Sequence, residues 1–317
     1  MTMATATHLE AHASLWRRLW LYQAERFPLG KTALLLAAFS ASSISVSAHL
    51  AGRPLPHWGV FVAAWLVAII FLFQLRACDE LKDLEDDRLY RPERPIPAGL
   101  VSLRLILSIA ALAAIAAIGL TLTITPILLL PLVLVWAWLG LMTAEFFVAD
   151  WLKARPFVYL VSHMAIMAFI DFYLTGAEWL PHGPFPPPGM WAFLGLSLVN
   201  GCVLEVGRKT WAPTSERPGV ETYSSLLGPA RSAQLWLAIG VLAWLLLLVI
   251  GFLVGAPLTI GGMGAILLVA MAITVWRFGL HAVPDGQRRI DDISGIWVLA
   301  CYLLAGGVPL LPQGFTP

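Results

Sequence analysis

The most regular feature of the chain is a series of long apolar stretches separated by short polar segments. A helix of about 20 apolar residues crosses a hydrocarbon core about 30 Å thick. Nine stretches reach this length and predict nine membrane-spanning helices: residues 31–50, 58–78, 103–122, 125–145, 156–176, 189–207, 232–254, 258–277 and 293–312. The expected fold is therefore all-α, a polytopic membrane protein with one membrane domain over residues 31–317.

A segment of mixed aromatic and basic residues precedes the first span, within residues 1–30. Between positions 13 and 28, Trp16 and Trp20 alternate with Arg17 and Arg18. This pattern favours an amphipathic helix lying on the membrane surface. Membrane lipid is accordingly an expected partner of this segment.

Composition supports the membrane assignment and excludes several classes of protein. Hydrophobic residues make up 59% of the 317-residue chain and charged residues 12%, whereas soluble domains contain about 25% charged residues. A soluble enzyme is therefore excluded. The formal net charge of +1 gives no basic footprint, so no nucleic-acid partner is expected. Cys78, Cys202 and Cys301 are far apart, which favours neither a disulfide framework nor a zinc site.

The basic residues are distributed very unevenly among the connections between spans. With nine spans, all but one of the 20 lysines and arginines fall on the same side of the membrane, and Arg53 is the exception. Basic residues accumulate on the cytoplasmic side. The sequence therefore predicts a multi-pass protein of the cell membrane with a cytoplasmic N-terminus.

A dense group of acidic residues follows the second span. Asp79, Asp83 and Asp87 are spaced by four, so they would share one face if the helix continued beyond the membrane. Like charges at this spacing repel, and a divalent cation would offset that repulsion. Magnesium is bound by one or two carboxylates together with phosphate oxygens. We therefore expect Mg²⁺ as cofactor, with these three aspartates as catalytic metal ligands.

An arginine- and proline-rich loop, RLYRPERPIPAG, comes directly after the aspartates. Its prolines stop the helix, and its guanidinium groups have the geometry that grips phosphate oxygens. Carboxylates beside arginines suit a magnesium diphosphate, although charged cytoplasmic loops also occur without such a role. The expected phosphate-binding residues are Arg76, Arg88, Arg91 and Arg94.

A second polar group ends the sixth span and has two interpretations. Asn200 and Glu205 lie within or at the end of an apolar helix, where ionisable groups are costly and usually face a cavity. Arg208 and Lys209 follow, so Glu205 could form a plain intrahelical ion pair instead. The functional interpretation makes Glu205 a metal ligand, Glu205 and Lys209 catalytic, and Asn200 and Arg208 substrate-binding. Glu216, and likewise Glu221, has either a functional or a structural role.

The fifth span contains two further polar residues, His163 and Asp171. An intramembrane acid is a functional candidate by default, and both residues are taken as substrate-binding. A buried histidine can equally be a structural residue whose hydrogen bonds are satisfied.

Two motifs resemble those of the UbiA superfamily of intramembrane prenyltransferases. The first family motif has an asparagine and two aspartates spaced by four, then RPxxPxG. Here Asp79, Asp83 and Asp87 precede residues 94–99, RPIPAG, with Asp79 in place of the asparagine. In the second motif, residues 219–228, GVETYSSLLG, resemble the family's trailing segment, but the paired aspartates that normally precede it are absent.

This resemblance implies a helical bundle around a central cavity, with a diphosphate site at its cytoplasmic mouth. It also implies ionisation of a prenyl diphosphate with magnesium help and transfer of the prenyl group to an aromatic, quinone-precursor or other lipophilic acceptor. Tyr223, in the second motif, joins the substrate-binding set. One alternative is a UbiA-type terpene cyclase, which needs no acceptor. The other is a cation transporter, which the arginines beside the acids disfavour.

Overall fold

The structure, a computed structural model, describes residues 13–310, and these residues form helices and connections without any β-strand. The first twelve residues of the N-terminal segment and the end of the ninth predicted span lie outside the described residues. The α-helices are α1 Leu15–Arg26, α2 Leu29–Leu50, α3 Trp58–Lys82, α4 Leu84–Tyr90, α5 Leu103–Ile124, α6 Leu129–Thr143, α7 Ala149–Lys153, α8 Pro156–Trp179, α9 Met190–Arg208, α10 Tyr223–Leu227, α11 Pro229–Leu253, α12 Pro257–Leu280 and α13 Pro284–Gly307.

Nine of these helices, within residues 13–310, are long and apolar enough to cross a membrane, as predicted. They are α2, α3, α5, α6 with the 3₁₀ turn that precedes it, α8, α9, α11, α12 and α13. The ninth begins at Pro284, nine residues before its predicted start. Proline suits the first position of a helix, and the charged residues that follow it extend α13 beyond the apolar span.

The bundle has an inner ring of four helices, α2, α8, α9 and α13, in which each helix packs against the next. Helices α3, α5 and α6 lie on one side of this ring, and α11 and α12 lie on the other. The approach of α13 to α2 requires a glycine. A Cβ atom at Gly306 would lie 2.5 Å from the Cα atom of Ser42, which is far inside van der Waals contact.

A buried polar network links all four helices of the inner ring. Asp171 of α8 is fully buried and accepts hydrogen bonds of 2.6 Å from Ser43 of α2 and 2.6 Å from Tyr302 of α13. The Tyr302 hydroxyl also lies 3.0 Å from the hydroxyl of Ser197 on α9. Buried polar groups need such partners, so Asp171 ties the ring together.

Helix α1 lies against the bundle at the end where α2 begins. Its Tyr22 is buried among apolar side chains of α3 and α5, while Trp16 and Trp20 are 82% and 69% exposed. Arg18 donates a 2.5 Å hydrogen bond to the carbonyl of Leu100, and Arg26 forms a 2.6 Å ion pair with Glu80 of α3. The segment therefore forms a helix over residues 15–26, and the Arg26–Glu80 ion pair attaches it to α3, the helix that leads into the aspartates.

We call the end of the bundle that includes α1, α4, α7, α10 and the start of α13 the basic side. The exceptional arginine, Arg53, lies at the opposite end, where it donates hydrogen bonds of 2.7 and 2.9 Å to Glu178. Glu178 is buried and also accepts a 2.5 Å bond from Ser47. The ion pair with Glu178 therefore explains why Arg53 lies at the end of the bundle opposite to the basic side.

Candidate active site

The three aspartates lie at the junction of α3 and α4. Helix α3 ends at Lys82, and Asp83 separates it from α4, so the predicted single helix is interrupted there. The backbone N–H groups of Asp83 and Asp87 nevertheless donate 2.8 Å bonds to the carbonyls of Asp79 and Asp83. The helical hydrogen-bond pattern thus continues through the break. Asp commonly occupies helix boundaries, where its side chain can compete for backbone groups.

The three aspartates differ in their environments. Asp79 is 55% exposed and lies 3.5 Å from Arg76. Asp83 is half-buried and has no side-chain hydrogen bond or ion pair within residues 13–310. Asp87 is only 2% exposed and is bound by two arginines, Arg91 at 3.1 Å and Arg94 at 2.6 Å.

These environments decide which aspartates could hold a metal ion. In the described part of the chain, no three His, Cys, Asp or Glu residues form a group that could hold a metal ion. Burial raises the pKa of Asp83, an effect opposed by the neighbouring positive charge of Lys82. An unpaired, half-buried carboxylate fits a cation, and so does the exposed Asp79. Two carboxylates are a usual protein contribution to a magnesium site, whereas Asp87 is already occupied by arginines.

The predicted phosphate-binding arginines are divided between those that lie beside the aspartates and one that does not. Arg91 and Arg94 come together on Asp87, and Arg76 lies beside Asp79. Arg88 instead forms an exposed 2.8 Å ion pair with Glu85. The structure therefore brings three of the four predicted arginines to the aspartates, and Arg88 is bound elsewhere.

Glu205 at the end of α9 is held by its own helix. It forms ion pairs with Arg208 and, at 3.1 Å, with Lys209. The sequence allows either an intrahelical ion pair or a functional role for Glu205. The structure contains the intrahelical ion pair. Asn200, one and a half turns earlier, accepts a 3.1 Å bond from Trp297, while its Nδ2 atom has no partner among residues 13–310.

The loop after α9 folds back onto the basic side. Tyr223 is buried, its backbone N–H donates a 3.0 Å bond to the carbonyl of Lys209, and burial raises the pKa of its phenol. Glu216 accepts hydrogen bonds of 2.8 Å from Thr222 and 2.7 Å from Ser224. Glu216 therefore stabilises the loop conformation.

The two polar segments meet although they are more than 100 residues apart in sequence. The charge of Arg208 on α9 lies close enough to act on the carboxylate of Asp79 on α3. Gly219, at φ 76°, lies against Tyr90, and a Cβ atom there would be 2.8 Å from the tyrosine ring. Only glycine combines that backbone angle with that approach.

An open polar cavity of about 690 Å³ lies between these segments on the basic side. Its walls come from α1, the loop after α4, the loop after α9 and the start of α13. Four arginines line it: Arg26, Arg91, Arg94 and Arg217. Three glutamates also line it: Glu25, Glu93 and Glu216. A cavity with this many guanidinium groups can bind a polyanion such as a diphosphate.

His163 and Asp171 lie in different parts of the bundle, although both are on α8. Asp171 belongs to the inner-ring network described above, where both of its oxygens accept hydrogen bonds from buried hydroxyls. His163 lies near the basic end of α8, stacked on Tyr159 with 3.9 Å between ring centroids. The structure therefore brings His163, but not Asp171, towards the aspartates.

Several residues at this end were not predicted from the sequence: Arg26, Glu80, Lys82, Glu145 and Tyr159. Each forms an ion pair or hydrogen bond with a residue far away in the chain. Glu145 carried one available signal, because it is an acid at the end of an apolar span.

One family model matches this chain, and two solved structures have a similar fold. The model of the UbiA prenyltransferase family matches residues 37–290. The fold is similar to that of a UbiA homologue from Aeropyrum pernix K1, with a TM-score of 0.65, and to that of a digeranylgeranylglyceryl phosphate synthase, with a TM-score of 0.56. Each shares 17% sequence identity, and each alignment covers 87% of this chain and 98% of the other. No individual curated protein sequence matches the chain.

Proposed function

The chain belongs to the UbiA prenyltransferase family, and from this premise we propose that it ionises a prenyl diphosphate with the help of Mg²⁺ and transfers the prenyl group to a lipophilic acceptor. The observation that carries the proposal is the meeting of carboxylates and arginines on the basic side. Asp79 and Asp83 lie at the end of α3, and Arg91 and Arg94 contact Asp87 directly after them. A magnesium diphosphate requires both kinds of group in one place.

The residues divide into a metal-binding and a phosphate-binding set. Asp79 and Asp83 would hold Mg²⁺, which supplies positive charge to the leaving diphosphate when bound. Arg91 and Arg94 would contact phosphate oxygens from the cavity wall. Both hydrogen bonds from Arg94 to Asp87 come from Nη1. The Nη2 and Nε atoms of Arg94 have no hydrogen-bond partner among residues 13–310. Asp87 thus orients Arg94 while leaving donors for a ligand.

Bond breaking places negative charge on the diphosphate, and preorganised donors lower the barrier to that step. The bond between prenyl C1 and oxygen breaks, and its electron pair leaves with the diphosphate. Arg208, whose charge acts on Asp79, would add positive charge at the same end. The prenyl chain itself requires apolar surroundings, which the membrane-spanning helices supply.

One observation favours a second candidate, a terpene cyclase that uses no acceptor. The second motif lacks paired aspartates, and its Glu205 is bound to Arg208 and Lys209. A cation transporter is disfavoured because Arg91 and Arg94 occupy Asp87, the most buried of the three aspartates.

We also propose that the basic side faces the cytoplasm and that the protein resides in the cell membrane. The support is the distribution of basic residues, since within residues 13–310 Arg53 is the one basic residue at the opposite end, where it is paired with Glu178.

The test is incubation of the purified protein and Mg²⁺ with geranyl, farnesyl and geranylgeranyl diphosphate. Each donor is offered alone, with hydroxylated aromatic acids, with quinone precursors, and with glyceryl phosphate ethers. Diphosphate release coupled to a prenylated acceptor supports transfer, and release with a cyclic product and no acceptor supports cyclisation. Absence of diphosphate release from every donor contradicts the proposal.

A further inference from the structure

Four polar side chains from three elements meet beside the aspartates, and we call Lys82, Glu145, Tyr159 and His163 the relay cluster. Lys82 at the end of α3 is paired with Glu145 and lies 2.5 Å from the Tyr159 hydroxyl. That hydroxyl lies 3.3 Å from Glu145 Oε1. His163 Nε2 lies 3.8 Å from Glu145 Oε2. The cluster joins α3, the turn after α6, and α8.

The backbone around Glu145 is strained. Glu145, Phe146 and Phe147 have φ angles of 48°, 53° and 60°, and none of them is glycine. Such residues cost about 1–3 kcal/mol each and tend to occur at functional sites. The turn buries the Glu145 side chain and sets the ring of Phe146 against Trp138 and His163, with 5.4 and 5.9 Å between ring centroids.

The hydrogen bond at Nδ1 fixes the tautomer of His163. Nδ1 lies 3.0 Å from the backbone carbonyl of Tyr159. A carbonyl only accepts hydrogen bonds, so Nδ1 carries the proton and the neutral ring has its lone pair on Nε2. Facing that lone pair is a carboxylate that would stabilise the protonated ring.

The two atoms that face each other, His163 Nε2 and Glu145 Oε2, are both buried. His163 and Glu145 are each 8% exposed, and neither Nε2 nor Oε2 has a hydrogen-bond partner in the described part of the chain. Groups of this kind are rare, and each calls for an explanation.

The relay cluster lies within electrostatic reach of both motif segments. The charge of Lys82 acts on the carboxylates of Asp79 and Asp83, and the charge of Glu205 acts on the His163 ring. Among residues 13–310, the charged and titratable groups that contact His163 or act on it are Lys82 from α3, Glu145 from the turn, Tyr159 from α8 and Glu205 from α9.

We propose that His163 Nε2 is the base that accepts the proton released when the prenyl cation is captured, with Glu145, Tyr159 and Lys82 as positioning residues. This inference rests on the proposed function. The bond between C1 and the diphosphate oxygen breaks, and the diphosphate keeps the electron pair. The acceptor's carbon or oxygen forms a bond to C1, and the proton on that atom passes to Nε2. Loss of this proton to water then restores the neutral ring.

The main test separates diphosphate release from product formation in His163→Asn. The asparagine amide can still donate to the Tyr159 carbonyl, but it supplies no base. With geranylgeranyl diphosphate, Mg²⁺ and an acceptor that the wild type uses, product should fall about 10²–10⁴-fold, the usual contribution of a general base. Diphosphate release should persist, with prenyl alcohol formed by water capture. His281→Asn, at an exposed histidine on the basic side, should change neither quantity.

A second variant tests the positioning role of Glu145. In Glu145→Gln the protonated ring loses its stabilising carboxylate, so the acid limb of the profile of kcat/KM against pH should move to lower pH. A purely structural role would lower the rate without moving that limb. A shift to higher pH, or no shift, contradicts the positioning role.

Nuclear magnetic resonance of ¹⁵N-histidine-labelled protein in nanodiscs tests the tautomer without turnover. The difference between the spectra of the wild type and His163→Asn should show a neutral ring protonated at Nδ1. Protonation at Nε2 overturns the inference, and so does a proportional fall of product and diphosphate release in His163→Asn. Absence of diphosphate release from the wild type contradicts the proposed function instead.

Discussion

Arg94 donates hydrogen bonds from one nitrogen, Nη1, to both carboxylate oxygens of Asp87, at 2.7 Å to Oδ1 and 2.6 Å to Oδ2. Asp87 is buried, so this contact holds the Arg94 guanidinium in a defined position. The spacing of the three aspartates predicts the same role for Asp87 as for Asp79 and Asp83. The structure separates them, because Asp87 is bound to arginines, whereas Asp79 is exposed and Asp83 is half-buried with no ion pair among residues 13–310.

The first prediction concerns the guanidinium of Arg94. Lysine keeps the positive charge but lacks the planar, multiple donors that can bond Asp87 and a phosphate together. Arg94→Lys should lower kcat/KM for the prenyl diphosphate by about ten- to a hundred-fold, the loss of one charge-assisted hydrogen bond. The steady-state kinetics of Arg94→Lys are compared with those of a control variant, Arg104→Lys, in which the substituted arginine is exposed at the start of α5. Equal kinetics for the two variants would show that Arg94 contributes only charge.

The second prediction separates Asp87 from Asp79 and Asp83, the two carboxylates that we propose bind Mg²⁺. In Asp87→Asn the shape of the side chain remains, but Arg94 loses an anionic partner. The KM for prenyl diphosphate should rise about ten-fold, because a charged hydrogen bond of about 1.5 kcal/mol no longer orients the arginine. The magnesium concentration that gives half-maximal diphosphate release should stay unchanged. A large rise in that magnesium concentration would contradict this prediction, because it would indicate that Asp87 binds the metal ion.

The third prediction concerns the attachment of α1. Arg26 and Glu80 are 11% and 2% exposed, and removing one partner of such a pair leaves a buried charge. Arg26→Ala should therefore lower the free energy of unfolding by about 3–5 kcal/mol, whereas Arg26→Met with Glu80→Leu should recover most of it. Titration with SDS in mixed micelles measures both.

Arg288→Ala provides the matched control for this pair. Arg288 and Asp285 form an ion pair in which the two side chains are 75% and 71% exposed. Exposed pairs contribute about 0–1 kcal/mol, so this variant should be close to the wild type. If Arg26→Ala is equally mild, then α1 is not held by the buried pair.

The fourth prediction concerns the orientation in the membrane. Cysteine is introduced at Glu93 on the basic side and at His182 on the opposite side, both of which are exposed. In intact cells an impermeant maleimide should label the cysteine at 182 and not the cysteine at 93, and permeabilisation should expose position 93. The parent chain, with its half-buried Cys78, supplies the background. Labelling of the cysteine at position 93 in intact cells would show that the basic side faces outwards, which contradicts the proposed orientation.

The spans were predictable because hydropathy and charge are properties of consecutive residues. Nine apolar stretches led to nine spanning helices within residues 13–310, and the spacing of the aspartates led to the candidate site. Ion-pair partners were not predictable in the same way. Arg26 and Glu80 are 54 residues apart in the chain, and nothing local to either residue indicates the other.

The turn at residues 145–147 was even less predictable from the sequence. Positive φ angles are usually signalled by glycine, yet this turn consists of Glu145, Phe146 and Phe147. Packing of Phe146 against Trp138 and His163 belongs to the tertiary structure, so the sequence around the turn does not reveal it. The position of Glu145 beside Lys82 and His163 therefore became visible only in the folded chain.

The most direct test of the central claim is magnesium-dependent diphosphate release by Asp83→Asn. The substitution keeps the volume of the side chain and removes the unpaired, half-buried carboxylate that fits a cation. With geranylgeranyl diphosphate, release should fall about 100-fold and need more Mg²⁺, a loss typical of a removed charged contact of about 3 kcal/mol. Asp150→Asn, at an exposed aspartate on the same side, should match the wild type. Equal release and equal magnesium dependence for both variants would contradict a metal–diphosphate site at the end of α3.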